Sequence, residues 1–406
     1  MKALRCRECG ETYPPARRAI CEECFGSLDV VYNYEGLSLD RESFRGRRKS
    51  LWRYIDLLPI EDPSNIIELN AGFTPLHNSK RLAEALGLKN LYIKDDTVNP
   101  TYSFKDRPAA VAVSKALEFN IKVVGCPSTG NLAAATAAHA ARAGLPCYII
   151  VPYDIEPLKV VQASMYGAEI VKVKGTYDDA NRLAAQASEE YGWAFVNIDL
   201  RPYYVEGSKT LAFEVCEQLD WEPPDHVIVP MASGALLCAI YRGFKELSGL
   251  GLTPRCRIKI TGVQPEGCAP IVKAYNSKDS YVMPMDKPDT IAKSLAIGDP
   301  GDGIYALKSI RESSGTAVSV SDKEIVEGIK LLARKEGIFA EPAGGATIAA
   351  LRKLADSGLI SKDEHVTCYV TGNGLKTVEA LEGSLPYLPV IEPKLEALGR
   401  LLEVTA

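Results

Sequence analysis

The chain has 406 residues, enough for two large lobes, and its 46% hydrophobic and 24% charged content excludes intrinsic disorder for the bulk of it. A formal charge of −5, from 47 basic and 52 acidic side chains, provides no global attraction to nucleic acid or an anionic membrane. The most apolar run, His226–Ile240, is interrupted by Pro230, Ser233 and Gly234, so no transmembrane helix is expected. The opening MKALRCRECG lacks an apolar core and a small-residue cleavage site, so no secretory leader is expected. The cysteines total 11, an odd number in an acidic chain of this size, which argues for reduced thiols and a cytoplasmic protein.

Residues 1–30 form a small module of their own. Cys6-x2-Cys9-x11-Cys21-x2-Cys24 is a pair of CxxC knuckles at ribbon spacing. Four thiolates from two tight turns suit tetrahedral zinc, which would fold a segment too small to bury a core. With every ligand position filled, such a metal is structural. Residues 1–24 carry five basic and four acidic side chains and no basic stripe, so the ribbon does not read as a nucleic-acid binder. The remaining cysteines (Cys126, Cys147, Cys216, Cys238, Cys256, Cys268, Cys368) fall mostly in apolar strand or helix patterns. Arg41–Arg53 carries six positive charges and one negative, and reads as a solvated arm docked through Phe44 and Trp52.

From about residue 85 strands and helices alternate. Strands are predicted at Leu91–Lys94, Lys122–Cys126, Cys147–Val151, Ile170–Lys174, Ala194–Ile198, His226–Pro230, Arg257–Val263 and His365–Tyr369. Helices are predicted at Pro108–Phe119, Ala133–Ala143, Pro157–Tyr166, Asp178–Tyr191, Lys209–Leu219, Leu236–Leu247 and Thr347–Ala355. A further helix runs to Lys335 from the capping box Ser321-Asp322-Lys323-Glu324. This alternation implies an α/β fold of open, mostly parallel sheets flanked by helices, with ligands bound at the carboxyl ends of the strands.

Four strand-to-helix turns carry chemistry. Pro108 places a helix start near Asp106–Pro108, which sets Lys105 at the mouth of a strand–loop–helix junction. An amine there can form a Schiff base with an aldehyde when burial or nearby charge lowers its pKa. Cys126-Pro127-Ser128-Thr129-Gly130-Asn131 combines helix-start N–H groups with two hydroxyls, a cradle for carboxylate or phosphate. Met231-Ala232-Ser233-Gly234-Ala235-Leu236 follows a strand directly and exposes N–H groups suited to a phosphate. Thr371, in Tyr369-Val370-Thr371-Gly372-Asn373-Gly374, places a hydroxyl at another strand end.

Together these turns resemble the threonine synthase family of pyridoxal 5′-phosphate enzymes, which have the two-lobed tryptophan-synthase-β type of fold. The resemblance spans nearly the whole chain. It runs through Gly72-Phe73-Thr74-Pro75-Leu76, Asn99-Pro100-Thr101, Ser103-Phe104-Lys105-Asp106-Arg107, Ser128-Thr129-Gly130-Asn131, Tyr177-Asp178-Asp179-Ala180 and Glu206-Gly207-Ser208-Lys209-Thr210. It continues through Glu336-Gly337-Ile338-Phe339, Glu341-Pro342-Ala343 and Thr371-Gly372-Asn373-Gly374-Leu375-Lys376. Some members carry a similar N-terminal ribbon.

The resemblance implies a role for each matching residue. Lys105 would hold the cofactor as a Schiff base and shuttle protons, and Phe104 would pack on its ring. Asn131 would bond the ring's phenolic oxygen, Thr371 would face the ring nitrogen, and Ala232, Ser233, Gly234, Ala235 and Leu236 would hold its phosphate. Ser128 and Thr129 would receive the substrate carboxylate. Thr129, Asn197 and a basic residue, Arg201 or Lys209, would join Lys105 around the substrate phosphate.

The implied reaction converts O-phospho-L-homoserine and water to L-threonine and phosphate by γ-elimination and β-addition. A homodimer is expected, with no nucleic-acid or membrane partner. The expected division is a ribbon at 1–30, an arm and lobe start at 31–85, and a large cofactor-binding lobe from 86–120 and 200–390. A small mobile lobe at 121–199 and a terminal helix at 391–406 complete it.

Several positions depart from the family pattern. Tyr102 stands where Gly is usual, Leu132 follows Asn131, the cofactor-phosphate turn reads Ala-Ser-Gly-Ala-Leu, Ile198 follows Asn197, and Arg201-Pro202-Tyr203-Tyr204 has an extra residue. These fall mainly on the shell that reads the substrate phosphate. They leave open a dehydratase-like or cysteate- or cysteine-synthase-like enzyme of the same fold.

Overall fold

The computed structural model describes the chain apart from residues 129, 154, 156–157, 176, 255–256, 385–387 and 406, and the side chains of 158–159, 177–178 and 403–405. Thr129, Pro157 and Cys256 thus lie outside the described residues. In chain order the elements are β1 (Ala3–Cys6), β2 (Thr12–Tyr13), β3 (Leu28–Val31), β4 (Leu76–Asn78), α1 (Lys80–Ala85), β5 (Asn90–Asp95), α2 (Asp106–Glu118), β6 (Val124–Cys126) and α3 (Asn131–Ala143). Then come β7 (Cys147–Pro152), α4 (Leu158–Met165), β8 (Glu169–Val173), α5 (Tyr177–Tyr191), β9 (Ala194–Phe195), α6 (Arg201–Gln218), β10 (His226–Pro230), α7 (Ala235–Gly249), β11 (Lys259–Pro265) and α8 (Pro270–Asn276). The chain closes with α9 (Gly303–Glu312), β12 (Ala317–Val320), α10 (Asp322–Glu336), α11 (Pro342–Asp356), β13 (His365–Val370) and α12 (Leu395–Thr405).

Three sheets result. A three-stranded antiparallel ribbon has the order β2-β1-β3, a four-stranded parallel sheet β8-β7-β6-β9, and a six-stranded sheet β12-β11-β10-β13-β5-β4. Within the six-stranded sheet only β4 runs antiparallel. Successive β10 side chains point to opposite faces. Val227 and Val229 pack with Leu211 and Phe213 of α6 and Leu237 and Ile240 of α7, while Ile228 packs with Ile325 and Ile329 of α10 and Ile348 and Leu351 of α11. Both faces are therefore covered by helices, as the βα alternation implies. The four-stranded sheet and its helices occupy residues 124–195. Among the described residues, no helix is long and apolar enough to cross a membrane.

The main correction concerns α6. It begins at Arg201, eight residues before the expected start, and the preceding strand stops at Phe195 instead of Ile198. Pro202 at the second helical position favours that start, since its missing N–H would have no partner there. Gly207 is interior to the helix, and a Cβ at that position would strike the backbone of Arg107 and Pro108 on α2. Close passage of α2 over α6 therefore requires glycine. The other predicted elements shift at their ends, and the Ser321 capping box is present with both reciprocal bonds. Phe44 and Trp52 are buried, as expected of a docked arm.

The ribbon is docked as well. Leu4, Leu28 and Val30 share a core with Ala112 and Val113 of α2 and with β6, α3 and β7. The Arg17 guanidinium donates to Asp199 (2.9 Å), the Trp193 carbonyl (2.6 Å) and the Gly192 carbonyl (3.0 Å). Arg7, between the first two cysteines, pairs with Asp302 at 2.7 Å. The ribbon thus contacts both the end of the four-stranded sheet and the segment before α9.

Behind the Lys105 loop lies a fully buried cluster of four charges. The Arg107 Nε and Nη2 donate to Asp96 at 2.7 and 2.8 Å, Nη2 also donates to Glu214 at 2.9 Å, and Nη1 reaches Glu214 and Thr210. Lys94 Nζ closes the set at 2.6 Å from Glu214. Burial alone would drive the Glu214 carboxyl upward, but Arg107 and Lys94 outweigh it and hold the group at about 2. Replacing Arg107 by Met leaves two buried carboxylates facing one lysine, so urea denaturation should show a loss of about 3–5 kcal/mol. Because the Glu214 pKa is depressed on folding, its contribution is complete above the ordinary carboxylate range and is lost as pH falls through about 2. A wild-type acid limb that is absent from Glu214→Gln would verify the sign.

Candidate active site

The six-stranded sheet sets the site. Strands β10, β13 and β5 are parallel neighbours, so the segments leaving their carboxyl ends lie side by side. These are the Ala232–Leu236 turn, the Thr371–Gly374 turn and the Thr101–Lys105 loop. The last two are laced together: Phe104 N–H donates to the Thr371 carbonyl at 2.8 Å, Asn373 N–H donates to the Tyr102 carbonyl at 3.0 Å, and Ser103 bridges Gly372. Tyr102, in place of the usual Gly, takes a left-handed φ of 66°.

Lys105 is the residue immediately before α2, as predicted, and is half-buried. Its Nζ donates to the Tyr204 hydroxyl at 2.7 Å and lies 4.7 Å from the centroid of the Phe104 ring. The next residue, Asp106, is buried and accepts from Thr101 N–H (2.8 Å) and Oγ1 (2.9 Å), and burial pushes its carboxyl up to about 7.

Asn131 opens α3, and its amide donates to the Glu341 Oε2 at 2.8 Å, while Thr371 Oγ1 lies 3.4 Å from Oε1. One buried carboxylate thus joins two of the predicted cofactor residues across the two sheets. Burial raises the Glu341 pKa, opposed by the Asn131 hydrogen bond and the Lys376 charge. Sequence reasoning quoted Glu341-Pro342 as a motif but did not assign the carboxylate a place in the site. The available signal was Pro342, which makes Glu341 the residue preceding α11. Also missed were Tyr204 and Lys376, whose Nζ donates to the Thr101 carbonyl (2.7 Å) and to Gln162 of α4 (2.8 Å).

At the end of β10, Gly234 has φ 93° and directly precedes the 15-residue helix α7, whose first-turn N–H groups face the strand end, that of Ala235 donating to Ser233 Oγ at 3.5 Å. A Cβ there would lie 2.8 Å from the Ala306 Cβ and 2.9 Å from the Asp302 carbonyl. Ser128 is half-buried beside the start of α3. Asn197 follows β9, and its Oδ1 is buried with no hydrogen-bond partner among the described residues.

The two candidate cations are placed otherwise than expected. Lys209 is 1% exposed, and its Nζ is paired with Glu206 at 2.8 Å and Glu246 at 2.9 Å, beside the Tyr32 ring. It lies inside α6 as part of the seat of β3, which removes it from a substrate shell. Arg201 opens α6 rather than lying in a loop, and it is ion-paired with Asp302, which also holds Arg7. Asp302 N–H donates to the Ser233 carbonyl at 3.0 Å, so Arg201 braces the turn expected to hold the cofactor phosphate.

In the ribbon, the four sulfurs of Cys6, Cys9, Cys21 and Cys24 all lie within 4.8 Å of one another. That spacing accommodates one ion at the usual metal–sulfur distance of about 2.3 Å.

Residues 67–372 match the family described as pyridoxal-phosphate dependent enzyme. The chain belongs to this family. It is 42% identical over 402 residues to a threonine synthase of Methanocaldococcus jannaschii, covering 98% of this chain and 99% of the relative. It is 42% identical to that of Methanosarcina acetivorans (98% of each chain), and 39% identical to that of Halalkalibacterium halodurans over 85% of this chain and 94% of the relative. Among solved structures, diaminopropionate ammonia lyase of Escherichia coli superposes with a TM-score of 0.65 at 20% identity, covering 85% of this chain and 95% of that one. A threonine deaminase of Solanum lycopersicum gives 0.64 at 23%, covering 76% and 82%. These two show the two-lobed fold expected from the sequence.

The residues present fit pyridoxal phosphate. An amine and a helix-start cradle too tight for a Cβ at Gly234 lie at neighbouring strand ends of the six-stranded sheet, and an Asn131–Glu341–Thr371 polar set links them to the four-stranded sheet. Gly372 is part of the fit, because a Cβ there would lie 2.6 Å from the Glu341 carboxyl. Gly372→Ala should displace Glu341 from Asn131 and Thr371. Losing one charge-assisted bond of about 1.5–3 kcal/mol should raise the cofactor Kd at least tenfold in a fluorescence titration.

Proposed function

We propose that the chain is a threonine synthase, converting O-phospho-L-homoserine and water to L-threonine and phosphate. The observation that carries this reading is the convergence of Lys105, Asn131 and Thr371 in a chain that matches threonine synthases along almost its full length. Lys105 would hold the cofactor covalently, with Phe104 against its ring, Asn131 and Thr371 at its polar edges, and the N–H groups of the Ala232–Leu236 turn on its phosphate. When bound, pyridoxal phosphate supplies an electron sink that stabilises negative charge beside the amino-bearing carbon.

The Lys105 amine takes the Cα proton and returns protons to carbon later in the cycle. Ser128 receives the substrate carboxylate. Asn197 is assigned to the substrate phosphate, which would accept from its Nδ2 amide; its buried Oδ1 has no hydrogen-bond partner among the described residues. That phosphate is both handle and leaving group, so its donors act on kcat as well as KM.

Supplied with O-phosphohomoserine, the enzyme should release threonine and phosphate in equal amounts, and unphosphorylated homoserine should be processed far more slowly. Equal turnover of the two would transfer the assignment to a dehydratase-like enzyme. Lys105→Ala should lose turnover together with the visible absorbance of lysine-bound cofactor.

The ribbon is read as a structural zinc site, supported by the clustering of its four sulfurs. Elemental analysis should find one zinc per chain. Cys9→Ser should lower both metal content and melting temperature while kcat per folded, cofactor-loaded site stays near wild type. A homodimer acting in the cytoplasm completes this reading, and sedimentation equilibrium measures its mass.

A further inference from the structure

We propose that Tyr204 is a catalytic residue of this site, whose hydroxyl holds and aims the Lys105 amine while that amine carries substrate protons. The inference rests on the reading of Lys105 given above.

Tyr204 Oη accepts from Lys105 Nζ at 2.7 Å, and the phenol is buried. Among the described residues Lys105 makes no ion pair, so the partner of the amine is a neutral oxygen. The distinction matters for a base. A carboxylate in this place would stabilise the ammonium and resist its return to the neutral form that accepts a proton. A phenol orients the amine without adding charge.

The phenol is also fixed. Tyr204 N–H donates to the Leu200 carbonyl at 2.9 Å in the first turn of α6. Farther along the same helix, Glu214 is clamped to Arg107, two residues beyond Lys105. Both partners of the 2.7 Å contact are therefore set by one rigid unit. The adjacent Tyr203 has a different role, donating to the Ala16 carbonyl of the ribbon at 2.8 Å and meeting the Phe119 ring edge-on. The pair thus divides one tyrosine for the ribbon and one for the amine, in the stretch where the sequence departs from its family pattern.

In the proposed role Nζ donates one N–H to Oη, which leaves its lone pair to receive the substrate proton. The resulting ammonium keeps that bond, and the proton returns to carbon. The phenol neither gains nor loses a proton over the cycle.

The test measures exchange of the Cα hydrogen of L-threonine with deuterium by proton NMR across a pH series, alongside threonine and phosphate production from O-phosphohomoserine. Tyr204→Phe should keep the visible band of lysine-bound cofactor and the wild-type affinity for threonine, yet exchange about 10- to 100-fold more slowly. With 3-fluorotyrosine at position 204, whose phenol oxygen is a weaker acceptor at almost unchanged size, exchange should slow while the cofactor band and the affinity for threonine stay at wild type. Wild-type exchange rate and profile in Tyr204→Phe would overturn the inference while leaving the enzyme assignment intact. If Tyr204→Phe does not retain the cofactor band, the fluorotyrosine enzyme decides, and an unchanged exchange rate overturns the inference. A wild-type enzyme that makes neither threonine nor phosphate overturns the assignment itself, and this inference with it.

Discussion

A guanidinium sealed from water is the fixed point of this molecule. Arg107 is buried with Asp96, Glu214 and Lys94, and these four charges come from the end of β5, the segment just beyond it, the first turn of α2 and the middle of α6. Burying such a set brings little net stability, because desolvation offsets most of the attraction. What it does provide is geometry. An unpaired member is so costly that the three segments can meet in only one register. Lys105 precedes Arg107 by two residues and Tyr204 precedes Glu214 by ten on the same helix, so the Lys105 amine and its phenol partner inherit that register. Gly207 lets the two backbones approach between those anchor points.

Much of this was legible in local pattern. The βα alternation, the capping box at Ser321 and the position of Lys105 before a proline-started helix each depend on residues close in sequence, where propensity and steric rules act directly. The knuckle spacing of the ribbon is likewise local, and the four sulfurs do come together. What was not legible depends on partners far along the chain. Glu341 meets Asn131 from 210 residues away, and Tyr204 meets Lys105 from 99. Arg201 and Lys209 show the converse error. Basic residues near a predicted strand end looked available for a phosphate, but Asp302, Glu206 and Glu246 already hold them. The early start of α6 was hidden in the same way, because Gly207 inside it answers to the close passage of another helix.

The ribbon is more than an appendage to this arrangement. Its knuckle residue Arg7 shares Asp302 with Arg201, and the Asp302 N–H binds the carbonyl of Ser233 in the turn read as the cofactor-phosphate cradle. Arg17 meanwhile reaches the carbonyls and carboxylate at the end of the four-stranded sheet. A module too small to hold its own core therefore spans the two larger sheets at a point adjoining the site, with its apolar face continuous with theirs.

The strand order has a consequence for how the protein is made. β13 fills the slot between β10 and β5, yet among the described residues it is the last strand in chain order. Until residues 365–370 have emerged from the ribosome, β5 and β10 each present an unpaired edge, and Thr371 has not yet arrived to lie between the other two turns. From the completion of β10 until β13 arrives, the nascent chain must carry two apolar, open-edged β segments, a condition that favours mispairing and calls for protection. Lys105 is among the earlier parts of the sheet region to appear, but the candidate site closes only after Thr371 has been made, 266 residues later.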